Sequence, residues 1–237
     1  MRSTLRPVTL PVLAIALILM ITATAANASL TTYSTPASFN SATTGLTTQT
    51  FGFLFATIPG GGSATVNNSL NSATSNGFVS PGDIAAGLDI AALSNNGNDI
   101  LLIGPNFNGF GNTNYAVFAN DFGTSLQLTL SPGMTAVSMG ILTSSPSAAH
   151  VQVSVYSPSS VLLGSLTVSS ASSGSGTFLG VTSGSPIGSV VLTEPPQFVA
   201  VGVDQVQFGS AVPEPGTLLL LGSGLLGAVG TLRKRLR

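Results

Sequence analysis

Hydrophobic and polar residues alternate through most of the second half of the chain. Leu126, Leu128 and Leu130 fall on one side of a first run, Val137, Met139 and Ile141 on one side of the next, and Val151, Val153 and Val155 on one side of a third. A period of two sends every second side chain to the same face, so each run predicts a strand with one dry and one wet surface. Tyr115 to Phe118, Leu162 to Val168, Phe178 to Val181, Ile187 to Leu192 and Phe198 to Phe208 extend the series, with Pro132-Gly133 and Ser157-Pro158-Ser159-Ser160 as turns between strands. The continuous apolar run Ile100 to Ile103 predicts a central strand. Strands that recur without intervening helices have the spacing of a sandwich or barrel and predict an all-β fold over residues 29–210.

The first part of this region is less regular. Phe51, Phe53 and Phe55 alternate across Thr50 to Ile58 and predict a strand that buries three aromatic rings on one face, ended by Pro59-Gly60-Gly61-Gly62. Residues 63–80 are polar and weakly periodic, which fits a long loop or an irregular edge hairpin. Asp83 to Leu93 reads either as a helix, with Ile84, Leu88 and Ala91 on one side and Gly87 weakening it, or as two short strands.

Both ends of the chain depart from this pattern. Arg2 and Arg6 precede an apolar segment from Val8 to Ile21, and Ala26 and Ala28 then satisfy the small-residue rule for cleavage. Residues 1–28 therefore read as a secretory signal peptide, with Ser29 as the mature N-terminus. At the other end, Pro213-Glu214-Pro215 leads into an uncharged apolar run from Thr217 to Leu232, followed by Arg233, Lys234, Arg235 and Arg237. Such a run satisfies its backbone internally only as a helix, about 24 Å long, with the basic cluster held at the cytoplasmic interface as a membrane stop. These three parts, residues 211–237, closely resemble the PEP-CTERM sorting signal of Gram-negative bacteria. The resemblance implies recognition at Pro213, Glu214 and Pro215 by a membrane-embedded, exosortase-type processing enzyme. It also implies an exported protein, held in the inner membrane before processing and placed at the cell surface or outside the cell afterwards.

Separating the two ends changes the charge picture. All six cations, Arg2, Arg6, Arg233, Lys234, Arg235 and Arg237, lie in the end segments, so residues 29–210 contain no Lys or Arg. Their acids are Asp83, Asp89, Asp99, Asp121, Glu194 and Asp204. Phosphate backbones are bound by Lys and Arg, so nucleic acid is excluded as a partner, and an anionic membrane surface with it. The chain has no cysteine, so the domain stands without disulfides although export would permit them.

From Val151 onward the segments VQVSVYSPSSVLLGSLTVSS, TFLGVTSGSPIGSVVLT and FVAVGVDQVQFG resemble the closing strands of secreted jelly-roll domains similar to galactose-binding-like modules. The resemblance extends from Tyr115 to Gly209 and implies a single antiparallel, jelly-roll-like β-sandwich with a final strand that carries Asp204.

Candidate chemistry is sparse. Acid-base catalysis needs groups that exchange protons near working pH, and residues 29–210 offer one His, His150, and neither Cys nor Lys. Gly180-Val181-Thr182-Ser183-Gly184 has Thr where a nucleophile elbow needs Ser, and Gly222-Ser223-Gly224-Leu225-Leu226-Gly227 lies in the apolar tail rather than in a βαβ unit. The expectation is a non-enzymatic surface or matrix protein. Without Lys or Arg, a buried carboxylate must be solvated, accept backbone N–H groups or bind a cation. Calcium is the candidate cation, with Asp99, Asp121 and Asp204 as candidate ligands, against the plainer reading of solvated or amide-capping carboxylates. The alternative function is binding of extracellular polysaccharide, with the Asn-rich loops at 95–98 and 106–114 and the rings of Phe107 and Phe110 as candidate contacts.

Overall fold

The computed structural model describes residues 30–93, 99–109, 112–144, 149–170, 176–193 and 199–212, together with residue 224. The signal peptide with Ala26 and Ala28, the sorting motif Pro213-Glu214-Pro215, the apolar tail, the basic cluster Arg233 to Arg237, loop 95–98, Phe110 and Glu194 lie outside the described residues.

The described chain folds into two antiparallel sheets packed face to face. The strands are β1 (Leu30–Tyr33), β2 (Thr43–Gln49), β3 (Ser63–Val66), β4 (Leu88–Leu93), β5 (Ile100–Ile103), β6 (Ala116–Ala119), β7 (Ser125–Leu130), β8 (Ala136–Thr143), β9 (Ala149–Tyr156), β10 (Leu162–Ser170), β11 (Thr177–Ser183), β12 (Ser189–Thr193) and β13 (Val201–Ala211). The larger sheet runs β1-β11-β8-β13-β6-β5-β3, with β2 added beside β13, and the smaller runs β10-β9-β12-β7-β4. From β7 onward the chain crosses repeatedly between the sheets, as in jelly-roll connectivity.

The alternating apolar side chains meet between the sheets. Val137, Met139 and Ile141 of β8 share a core with Leu126 and Leu128 of β7, Val151, Val153 and Val155 of β9, and Val201, Val203, Val206 and Phe208 of β13. The outer faces differ. Strand β9 alternates between buried and more exposed positions, the pattern of a sheet with a wet outer surface, whereas seven of the eight residues of β8 are buried. The larger sheet is therefore covered on its outer face as well. At one end the cover is a second apolar cluster of Ile103, Ala116, Phe118, Leu142 and Ala200. At the other it is a six-residue helix, α1 (Pro36–Ser41), capped by Thr35, whose side chain accepts from the Ser38 amide at 3.3 Å. Phe39 of α1 is fully buried against Gly180 of β11, where a Cβ would come within 2.6 Å of its ring, and it meets Tyr33 and Phe178 edge to face.

Three expectations need correction. The Phe51 to Phe55 segment is a 3-10 helix, Phe51–Ala56, rather than a strand: Phe51 and Leu54, three apart, are buried, and Phe55 is 79% exposed. Alternation and a three-residue repeat coincide over so short a run. Asp83 to Leu93 is neither a helix nor two strands. Gly87 sits at φ +91, which breaks a helical run, and Leu88–Leu93 pairs as one strand with β7. The turn before it is clamped by buried Gln49, whose Oε1 accepts from the Ala85 amide at 2.6 Å and whose Nε2 donates to the Asp83 carbonyl at 3.2 Å. Within 63–80, Ser63–Val66 is an edge strand paired with β5, followed by an irregular segment tied down by a bridge between Leu70 and Ile90. Strands β1 and β2 and helix α1 carry no apolar alternation and were not expected.

Candidate functional site

Strand β13 organises the site because one of its edges is shared. Along the other edge it pairs with β8, from Val201↔Thr143 to Gly209↔Ala136. On the shared edge Gly202 and Val203 pair with Phe118 and Val117 of β6, while Val206 to Ala211 pair with β2. Between these partners lies a bulge at Gln205 and Val206, between Asp204 and Gln207, where Gln205 has φ +46. A non-glycine residue held in the left-handed region costs about 1–3 kcal/mol and persists only where its surroundings impose it. The bulge also resets the alternation, so Val203 and Val206 both enter the core while Asp204 and Gln207 face outward.

A cleft of about 400 Å³ opens on the outer face at this point, a size within the range of small-ligand sites. Asp204 forms its floor and is only 8% exposed. Asn114, ahead of β6, donates from Nδ2 to Asp204 Oδ2 at 3.0 Å. The other carboxylate oxygen, Oδ1, lies over Gly140, where any Cβ would collide with it, and a Cβ at Gly176 would stand 3.5 Å away. Gly140 thus leaves the space that the carboxylate occupies. Burial pushes the Asp204 carboxyl above its usual range, and the bonds from Asn114 and its own backbone amide offset this only in part.

The rest of the cleft is planar and polar on one side and aromatic on the other. Gln207 accepts from Ser138 Oγ at 3.1 Å and donates from Nε2 to Thr48 Oγ1 at 3.2 Å, which fixes its amide plane. Phe178 of β11 and Pro36 of α1 supply apolar walls. Asn114 is itself held from behind, because buried Asn112 donates to the carbonyls of Asn114 and Gly104, each at 2.9 Å. These groups arrive from β2, α1, the loop before β6, β8, β11 and β13.

Asp99, Asp121 and Asp204 do not form a common calcium site. Asp204 lies level with Ala116 on β6 by extension of Val203↔Val117, whereas Asp99 lies level with Asn120 by extension of Ile100↔Ala119. Four residues along a strand separate them by about 13 Å. Asp121 follows β6, and its carbonyl accepts from the Thr124 amide at 3.2 Å. Among the described residues no three His, Cys, Asp or Glu side chains converge as a metal site.

His150 lies within β9, exposed, with Nδ1 3.2 Å from Ser169 Oγ across the pair with β10. Of the Asn-rich loop at 106–114, Asn114 reaches Asp204, while Phe107 lines a second cleft of about 340 Å³ with Phe118 and Phe122 at the far end of the same face. Asn114 belongs to the loop expected to contact a sugar, whereas Gln207, Gly140 and Phe178 were not expected as site residues. Their one advance signal was that Asp204 interrupts the apolar phase of a core strand in a segment without cations.

Comparison with known proteins bears on the tail and only lightly on the sandwich. No curated protein matches the sequence. Among solved structures, CsCBM6-3 from Clostridium stercorarium, determined in complex with cellobiose, is 23% identical over 41% of this chain and 75% of its own, with a TM-score of 0.27. A family 6 carbohydrate-binding module studied for its binding sub-sites is 14% identical over 60% of this chain and 92% of its own, with a TM-score of 0.31. Similarity at this level transfers no site to the chain. Among the described residues no helix is long and apolar enough to cross a membrane, and the apolar tail lies outside them. Residues 211–235 match the PEP-CTERM protein-sorting motif, so this is a β-sandwich chain that carries the sorting tail of exported proteins.

Proposed function

We propose that the chain is a non-enzymatic, exported surface or matrix protein whose sandwich binds extracellular polysaccharide in the Asp204 cleft. The observation that carries this reading is the cleft itself. A buried carboxylate and two oriented side-chain amides, Asn114 and Gln207, stand opposite the ring of Phe178 on a sheet face otherwise covered by apolar cover. A sugar ring offers the complement, with hydroxyl donors and acceptors around its edge and an apolar C–H face. Leaving Asp204 without a cation partner is costly, and so is the backbone at Gln205; both costs gain a purpose if a ligand supplies the missing donors. Binding is read as independent of calcium, since the Asn114 amide already occupies one oxygen of Asp204 as a donor.

The tail supplies the address. An exosortase-type enzyme recognises Pro213-Glu214-Pro215, and the protein passes from the inner membrane to the surface or medium. A glycan array probed with the full-length chain, with and without calcium and chelator, tests the sandwich. Retention of a saccharide class by the wild type, unchanged by chelation and lost in Asn114→Ala, is the expected result. No retention, or retention that Asn114→Ala leaves intact, contradicts it.

A further inference from the structure

The charge of the cleft narrows the class of sugar. Among the described residues Asp204 is the one titratable group that lines it, and no Lys or Arg exists between residues 29 and 210 to neutralise it from another element. Asn114 donates to Oδ2, the backbone amide of Asp204 also donates to the carboxylate, and Oδ1 lies over Gly140 at ordinary contact distance from the Gly176 position. Hydroxyl groups of a neutral sugar would hydrogen-bond Oδ1 but leave its charge uncompensated. An ammonium group would hydrogen-bond it and add the attraction of an opposite charge, in a site where water screens little. Phe178 lines the same cleft, and an aromatic ring attracts a cation seated over its face. Uronate, sulfate or phosphate sugars meet the reverse, an uncompensated negative charge within a domain whose other charged side chains are also acidic.

Resting on the carbohydrate reading, we propose that the Asp204 cleft selects amine-bearing sugars, the free hexosamine units of a de-N-acetylated aminoglycan, by seating their ammonium on Asp204 Oδ1. Acetylation would remove the charge and add bulk between Oδ1 and Gly176. Burial shifts the Asp204 carboxyl upward, so an ammonium seated on it would draw it back toward ionisation.

The test is calorimetric titration of the full-length chain at about pH 6 with three probes of equal length, a glucosamine oligomer, its N-acetylated form and a glucose oligomer. The expected result is binding of the glucosamine oligomer roughly tenfold tighter than of the other two. That preference should be reduced at about 1 M salt, where the Debye length is about 3 Å. It should be abolished in Asp204→Asn and kept in the charge-matched Asp99→Asn. Equal affinity for the three probes, preference surviving in Asp204→Asn, or equal loss in Asp99→Asn overturns the inference while the carbohydrate reading stands. Failure of all three probes to bind overturns both.

Discussion

Gly140→Ala is the sharpest small perturbation of the cleft. The added methyl would occupy the space of Asp204 Oδ1 and stand 3.1 Å from its Cγ, tighter than ordinary contact. Strand β8 is paired on both sides at this point, with Phe178 of β11 and Asp204 of β13, so the backbone cannot back away. The carboxylate must rotate, and rotation breaks its 3.0 Å bond from Asn114. A hydrogen bond to a charged group is worth about 1.5–3 kcal/mol, and the ligand loses a comparable contact with the displaced oxygen. At about 1.4 kcal/mol per decade, the lost ligand contact weakens saccharide binding by about 10- to 150-fold. The assay is titration calorimetry beside urea unfolding, with Gly184→Ala as the reference. A Cβ at Gly184 meets nothing within 4 Å. Gly140→Ala should lose affinity with its unfolding slope unchanged, and Gly184→Ala should keep both. A folded Gly140→Ala protein that binds within about threefold of wild type would refute the placement of the ligand on Asp204.

Other outcomes follow from the same structure. Phe39→Ala removes the fully buried ring that seats α1 on Gly180 and should cost about 3–5 kcal/mol in urea unfolding, whereas a cost under about 1 kcal/mol would mean that α1 is not held by this ring. Asp204→Asn should raise Tm at neutral pH, because the folded-state carboxyl is shifted above its ordinary value of 3.8 and its ionised form weakens the fold. As pH falls through the folded-state value the wild type regains that stability, fully so below about 4, and the gap between the two proteins closes; a wild type more stable than Asp204→Asn at neutral pH would contradict the sign. Glu214→Ala should leave an unprocessed precursor in the inner membrane, read by intact mass and cell fractionation, and normal mass and location would contradict the sorting assignment.

Alternation made the second half of the fold legible because each of those strands buries one face in the inter-sheet core, where a two-residue period is enforced. Strand β2, with sequence TTGLTTQ, is held instead by its ladder to β13 and buries only Thr43 and Gln49 at its ends, so no apolar period marks it. The Phe51 segment carried a strong pattern that served two periods equally over six residues. Asp204 was legible as an acid without a cation partner. Asn114 was legible through its Asn-rich loop. The other neighbours were not, since Thr48, Gly140, Phe178 and Gln207 come together only through sheet order, and Gly140 matters for the side chain it lacks. The register of β5, β6 and β13 holds Asp99 and Asp204 at different levels, so the two acids do not share one cation, a relation that only strand pairing reveals.

The most direct measurement is a crystal structure of the full-length chain grown with a hexosamine oligosaccharide. The account predicts a sugar ring in the Asp204 cleft, its face against Phe178 and a nitrogen or hydroxyl on Asp204 Oδ1. A ring seated instead in the Phe107, Phe118 and Phe122 cleft, or an empty Asp204 cleft at saturating ligand, would contradict it.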